Sequence, residues 1–414
     1  MRVLILTNKM PYPPRDGGSI ASLSLALSLS QNNNHVEILS MNTSKHYTEL
    51  SSIPKEITDK VKIHAVKINT DTSVFKALNN LIFSSQPYNA QRFISKKFEN
   101  KLIEILEKDN FDIVQLEGLY LCPYIKTIKK HSKAKISLRA HNIEHEIWER
   151  ATLNETNALY RIYKKNLAKR IKKFKLTYLN KYDLLVPITE RDGKMFNEFG
   201  NTKPQQVTPT GINKDNKFLK LENNGEFPGF FHIGALDWIP NQEGLTWFIE
   251  NVWNIFIKDN PDCKLTVAGR NAPVLFEKYL RNCKNIEYLG EIPDAVQFIA
   301  TQSVMIVPLL SGSGMRIKII EGMAAGKTII STSIGSEGIN TIHEKNILIA
   351  NSSVEFLTSL KKIKNNRELH NSISVEARKF ILENFDNDKI AQNLNDFYLL
   401  HIKWLLHFKY YFSF

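Results

Sequence analysis

Short apolar runs recur along the chain, separated by longer stretches whose apolar positions fall three and four residues apart. In the first half the runs are Val3 to Thr7, Val36 to Met41, Val61 to Ile68, Phe111 to Leu116, Ile136 to Leu138 and Leu184 to Ile188. In the second half they are Phe230 to Ile233, Leu265 to Val267, Ile286 to Leu289, Val304 to Leu309 and Thr328 to Thr332. Apolar runs without alternation predict strands covered on both faces, and helices between them supply the crossovers of a parallel sheet. The pattern restarts after a polar, aperiodic stretch from Gly200 to Gly229 that carries Pro204, Pro209, Gly211, Gly225 and Pro228. The fold class read from this is α/β, with two Rossmann-like, doubly wound domains facing each other across a cleft. The expected divisions are residues 1–200, a linker region over 201–228, a second domain over 229–385, and a C-terminal helix over 386–414 packing back across the domain junction. No internal repeat is visible in the sequence.

With 414 residues, 43% of them hydrophobic and 23% charged, the chain has material for a large core and is not a disordered sequence. The formal charge of +13 favours a phosphate-bearing partner, whether nucleotide, nucleic acid or anionic lipid, without choosing among them. Cys122, Cys263 and Cys283 lie far apart with no CxxC, which argues against a disulfide framework or a cysteine zinc site and suits a reducing, cytoplasmic compartment. The opening VLILT run is too short for a signal-peptide core, and the aromatic tail is interrupted by His401, Lys403, His407 and Lys409, so no spanning helix is expected.

The strongest chemical cue is VMIVPLLSGSGMRIKIIEGMAAGKTIIST, from Val304 onward. A strand runs into the loop Ser311-Gly312-Ser313-Gly314, and Ile317, Ile319, Ile320, Met323 and Ala324 mark the buried side of the helix that follows. Glycines let backbone amides approach a phosphate, and a helix N-terminus adds partial positive charge. Arg316 and Lys318 in the first turn oppose the helix dipole, an arrangement that makes sense around a bound anion, and Glu321 one turn deeper can accept hydrogen bonds from sugar hydroxyls. The loop is neither GxGxxG nor GxxxxGK[ST], so dinucleotide and P-loop readings lose their specific support. A second cue is Pro11 to Ser19, where Gly17 and Gly18 stand at a strand-to-helix turn and make either a phosphate cradle or a tight turn capped by Ser19.

The third cue is Leu138-Arg139-Ala140-His141-Asn142-Ile143-Glu144-His145, which puts His141 at a strand exit on a cleft rim. His141, Glu144 and His145 also have H-x-x-E-H spacing, but a strand-exit histidine does not share a helix face with His145, and no metal site is expected. Asp386-Asn387-Asp388 reads as a helix cap. Arg161, Lys164, Lys165, Lys169, Arg170, Lys172, Lys173 and Lys175, interleaved with Ile162, Leu167, Ile171, Phe174 and Leu176, form a basic amphipathic helix, either a solvated face or a membrane-surface contact.

Taken together, PYPPRDGG, LRAHNIEHEIWER, FHIGALDWIPNQEGLTWF and PLLSGSGMRIKIIEGMAAGKTIIST resemble the retaining glycosyltransferases of family 4, which share the GT-B architecture, over nearly the whole length. The resemblance implies transfer of a sugar from a nucleotide-diphosphate sugar to a hydroxyl of a glycan or lipid-linked glycan, in cell-surface polysaccharide or glycolipid assembly, with no cofactor, metal or nucleic acid. It implies His141, Arg316 and Lys318 as catalytic groups, and Gly17, Gly18, Gly312, Ser313, Gly314, Glu321, Gly290 and Ile292 as donor-binding residues. Two departures stand out: the family's pair of glutamates separated by seven residues would begin at Ser313, and the Arg and Lys that many relatives carry after the first strand of the second domain are replaced by Gly234-Ala235-Leu236-Asp237. Peripheral contact with the inner membrane face fits the basic charge. The residues leave open a nucleotide-sugar epimerase of the same architecture, or a non-catalytic basic protein that binds anionic lipid or nucleic acid.

Overall fold

The computed structural model describes residues 1–71, 73–84, 86–153, 155–222 and 225–411. The chain divides into two compact units, Met1–Thr210 with Asn387–Phe414, and Gly211–Asp386. In the first unit β1 (Arg2–Thr7), β2 (His35–Thr43), β3 (Val61–Ile68), β4 (Ile113–Glu117), β5 (Lys135–Ala140) and β6 (Leu184–Pro187) form one parallel sheet in the order β3-β2-β1-β4-β5-β6. In the second, β7 (Phe230–Ile233), β8 (Leu265–Ala268), β9 (Ile286–Gly290), β10 (Val304–Val307), β11 (Thr328–Ser331) and β12 (Leu348–Ile349) repeat that topology as β12-β11-β10-β7-β8-β9. Both are Rossmann orders, so the architecture repeats where the sequence shows no repeat. Every run anticipated from the sequence is a strand. Only β12 was missed, because two residues carry no period.

The central strands are apolar on both faces because each sheet is covered on both, whereas the edge strands β3 and β9 carry exposed positions. In β1, Leu4 and Leu6 pack with Phe98 and Leu102 on one side, while Val3 and Ile5 pack with Leu25, Ala26 and Leu29 on the other. In the second unit Phe230 joins Trp253 and Phe256, and its neighbour Phe231 joins Met305 and Ile329 on the opposite face. In the first unit α1 (Gly17–Gln31) follows β1, and α2 (Glu144–Leu153) and α3 (Ala158–Tyr178) follow β5. In the second, α4 (Ile239–Phe248) follows β7 and α5 (Ile317–Ala324) follows β10. The last helix, α6 (Asn387–Tyr411), returns to the first unit, where Ala391, Leu394 and Tyr398 are buried with Val3, Ile5 and the α1 residues.

The polar stretch between the two strand sets is shared by the units. Leu185 N donates to Pro204 O at 2.9 Å and Thr208 N to Pro187 O at 2.8 Å, so residues 204–208 pair with the edge strand β6. Phe218 and Leu219 are buried in the core of the second unit. No helix among the described residues is long and apolar enough to cross a membrane.

Candidate active site

In an open doubly wound sheet, ligands bind at the C-terminal ends of the strands, where the strand order reverses. These points lie between β1 and β4 in the first unit and between β7 and β10 in the second. All three chemical cues in the sequence fall beside one of them or one strand away.

In the first unit, β1 leads to Asp16, which caps α1 by accepting from Ser19 N at 3.0 Å, while Ser19 Oγ bonds back to the Asp16 backbone. The cap is therefore Asp16 and not Ser19, which reciprocates from the third helical position. Lys9 Nζ lies 2.5 Å from Asp16 Oδ1. Burial works against ionisation of Asp16, but the Lys9 charge and hydrogen bond outweigh it and hold its pKa at about 2. A Cβ on Gly18 would come within 3.2 Å of Lys9 Nζ, so the ammonium lies close against the helix start.

The end of β5 carries Arg139 and, one residue beyond the strand, His141. Both turn to Glu117 at the end of β4. His141 Nε2 is 2.6 Å and Arg139 Nη1 3.3 Å from Glu117 Oε2, and Ser22 Oγ of α1 donates to the same oxygen at 2.7 Å. Gln115 donates to Oε1, and Arg139 also donates to Ala21 O at 3.1 Å. Burial alone would raise the Glu117 pKa. The Arg139 and His141 charges, with hydrogen bonds from His141 and Ser22, bring it down to about 2. The structure thus joins the second turn of α1 to His141 through one buried carboxylate. His145 goes elsewhere: it packs on Phe199 with ring centroids 5.5 Å apart, so the H-x-x-E-H residues do not converge. Lys175, placed on the basic face in the sequence reading, is instead buried against the Phe196 and Phe199 rings.

In the second unit the loop after β10 folds around Arg316. The sequence reading put Arg316 in the first turn of α5, whereas the helix begins at Ile317 and Arg316 is its N-cap. Its Nη1 donates to Ser313 O at 2.6 Å and to Gly314 O, and its guanidinium lies over the Trp238 ring at 5.3 Å. Gly312 (φ 108°) and Gly314 (φ 84°) take left-handed conformations. A Cβ on Gly312 would approach Arg316 Nη2 to 2.7 Å and Trp238 to 3.2 Å. Arg316 therefore holds the shape of the loop, and its charge stays at the helix start.

Lys318 reaches back to the turn after β7. Its Nζ donates to Asn241 Oδ1 at 2.9 Å and is 3.5 Å from His232 Nε2. His232 Nδ1 donates to Ile306 O at 2.8 Å, which leaves Nε2 as the acceptor facing Lys318. Burial, followed by the Lys318 charge, pushes the His232 pKa well below its usual value. Burial, followed by Arg316, lowers Lys318 to about 7, and burial alone raises Glu321 to about 7. Asn241 and His232 thus take two of the three hydrogens that the ammonium form carries. A Cβ on Gly234 would come within 2.9 Å of Asn241 Nδ2 and 3.2 Å of Lys318 Nζ, so glycine makes this approach possible. Gly290 at the exit of β9 belongs to the same sheet end: its carbonyl accepts from Gly269 N at 2.8 Å, and Gly234 N donates to Ala268 O at 3.2 Å. Ile292 is half-buried two residues beyond it.

The structure therefore gathers Gly312, Ser313, Gly314, Arg316 and Lys318 in one unit, and Gly17, Gly18 and His141 in the other. Glu117, Lys9, His232 and Trp238 were not picked out from the sequence. Glu117 had a signal, a carboxylate ending an otherwise apolar strand, but the predicted strand stopped one residue short of it.

Residues 228–366 match the family described as Glycosyl transferases group 1. An uncharacterised 44.6 kDa protein in the cps region of Klebsiella pneumoniae is 26% identical over 408 residues, covering 95% of this chain and 98% of that protein. The Anabaena protein Alr3699/HepE, solved with UDP-glucose, superposes with a TM-score of 0.64 at 12% identity, covering 96% of this chain and 98% of its own. Sucrose-phosphate synthase from Thermosynechococcus elongatus gives 0.69 at 13%, covering 97% and 100%. Two Rossmann sheets of like order and the full-length superpositions give this chain the GT-B fold, and the stretch similar to the group 1 glycosyltransferases spans the loop that holds Arg316 and Lys318.

Proposed function

We propose that the protein is a retaining glycosyltransferase of family 4 that moves a sugar from a nucleotide-diphosphate sugar to a hydroxyl of a glycan or lipid-linked glycan in surface polysaccharide assembly. The observation that carries this reading is the loop at the β7/β10 reversal, where a glycine-rich turn wraps Arg316 and an unneutralised Lys318 sits beside it. The leaving diphosphate gains negative charge as the glycosidic bond breaks, and fixed cations and helix-start amides stabilise it. Lys318 supplies the direct contact, Arg316 fixes the amides, and the hexosyl transfer proceeds without a metal. Glu321, on the same helix, accepts from the ribose hydroxyls, and Gly290 and Ile292 meet the base. His141 orients the transferred sugar and Gly17 and Gly18 let the donor approach the start of α1. HepE's complex with UDP-glucose and the Klebsiella relative's place in a cps region support the donor class and the pathway type.

Stabilisation by one family among UDP, GDP, ADP and their sugar conjugates, lost in R316A and E321A, is the expected result of a thermal-shift screen. No shift with any of them overturns the reading. The protein also meets the anionic inner membrane face through α3, where Leu159, Tyr160 and Ile162 are exposed at 79%, 63% and 67% on the basic helix. Failure to pellet with phosphatidylglycerol vesicles at low salt overturns this part.

A further inference from the structure

We propose that Glu117 is a positioning residue of the reaction, which locks the ring orientation and tautomer of His141 so that Nδ1 faces a hydroxyl of the sugar substrate. The inference rests on the glycosyltransferase reading for its chemistry, but the lock itself stands on geometry in one unit. Glu117 is 5% exposed, and its Oε2 receives Ser22 Oγ, Arg139 Nη1 and His141 Nε2, while Gln115 occupies Oε1. A carboxylate only accepts, so the hydrogen on the 2.6 Å contact belongs to His141 Nε2. In the neutral ring Nδ1 is then an acceptor, and it lies on the side of the ring away from Glu117. Such an acceptor suits a sugar hydroxyl and not a phosphate oxygen.

The carboxylate is itself held from several directions. Arg139, only 1% exposed, is anchored to Ala21 O, which ties Glu117 to α1. On the other side Gln115 Oε1 accepts from Tyr398 OH at 2.7 Å, and the Tyr398 oxygen also lies 2.8 Å from Ser137 Oγ, whose hydroxyl can donate to it. The C-terminal helix thus reaches the same buried chain: Tyr398, Gln115, Glu117, His141. A carboxylate needed only to neutralise Arg139 does not require the histidine at 2.6 Å as well.

The test uses the full chain with 15N-labelled histidine, in wild type, E117D and E117Q, with H141A assigning the resonance. Glu117→Asp keeps the charge for Arg139 but draws the carboxylate back by one methylene, so it remains informative if Glu117→Gln does not fold. The expected result is an Nε2–H tautomer in wild type and a mixture in E117D. Its kcat falls by about 10- to 100-fold, by analogy with the partners that orient metal-bound histidines, with donor KM changed by less than about threefold. Placed on H141A, the same substitution causes no further loss. An Nδ1–H tautomer in wild type, or an equal drop in kcat with and without His141, overturns the proposal. If no nucleotide sugar is turned over, the glycosyltransferase reading fails by itself, and the tautomer of wild type and E117D still decides whether Glu117 locks His141.

Discussion

The two units share one sheet topology, but their switch points are built with opposite electrostatics. In the first, hydrogen-bond donors converge on a buried carboxylate: Glu117 takes Arg139, His141 and Ser22, and stays ionised. In the second, the cations lie beside neutral groups. Arg316 lies on loop carbonyls and an indole, and Lys318 on an amide oxygen and a neutral imidazole, so burial lowers the lysine to about 7. On the proposed function, the first arrangement positions a side chain and the second receives an anion, so one fold serves two electrostatic ends.

The sharpest break in this comparison is Glu117→Ala. It strands Arg139 as a buried charge and is expected to cost about 3–5 kcal/mol in urea unfolding of the first unit. Lys318→Ala in the second unit is expected to leave stability unchanged or slightly raised; equal losses in both would erase the contrast. Ligand binding shows the reverse. K318A weakens the binding of the preferred nucleoside diphosphate by about 1.5–3 kcal/mol, the range for a charged hydrogen bond, read by calorimetry, while Y398F leaves it unchanged.

A smaller effect sharpens the role of the loop. Gly312→Ala places a Cβ at φ 108° against Arg316 Nη2 and Trp238, and is expected to cost about 1–2 kcal/mol. Nucleotide affinity falls with it if Arg316 shapes the loop. The smallest effect is a proton count. The lysine pKa is about 7 folded against 10.5 unfolded, so the unfolded chain binds more protons between those values and the Lys318 contribution makes stability rise with pH across that window. An anion restores the charge, so binding at pH 8 takes up a fraction of one proton, measured as a dependence of the binding heat on buffer ionisation. The K318A protein loses that uptake.

Much of the fold was legible in the sequence because the strands are short runs rich in apolar and β-branched residues, bounded by polar turns, and that leaves a local mark. The runs at Val61 to Ile68 and Phe230 to Ile233 match β3 and β7 residue for residue. The glycine loop and its two cations were legible for the same reason: loop, helix start and charges are contiguous, and their chemistry depends on neighbours along the chain. Where Arg316 points was not legible. It lies on Trp238, which precedes it by many residues and comes from the turn after β7.

What the sequence by itself determined, then, is the two parallel sheets, the phosphate-type loop from Ser311 to Lys318 and the candidacy of His141. What only the tertiary structure decided is who their partners are. Glu117 meets His141 because β4 and β5 are neighbours in register, with Glu117 paired to Arg139. Lys318 meets Asn241 and His232 because β10 lies beside β7, although β8, β9 and the helices that flank them come between along the chain. Tyr398 reaches Gln115 because the last helix returns to the first unit. Local sequence specifies an element through period and turn chemistry. Buried charges are paired across elements, and the pairing is set by strand order, which no short window of residues contains.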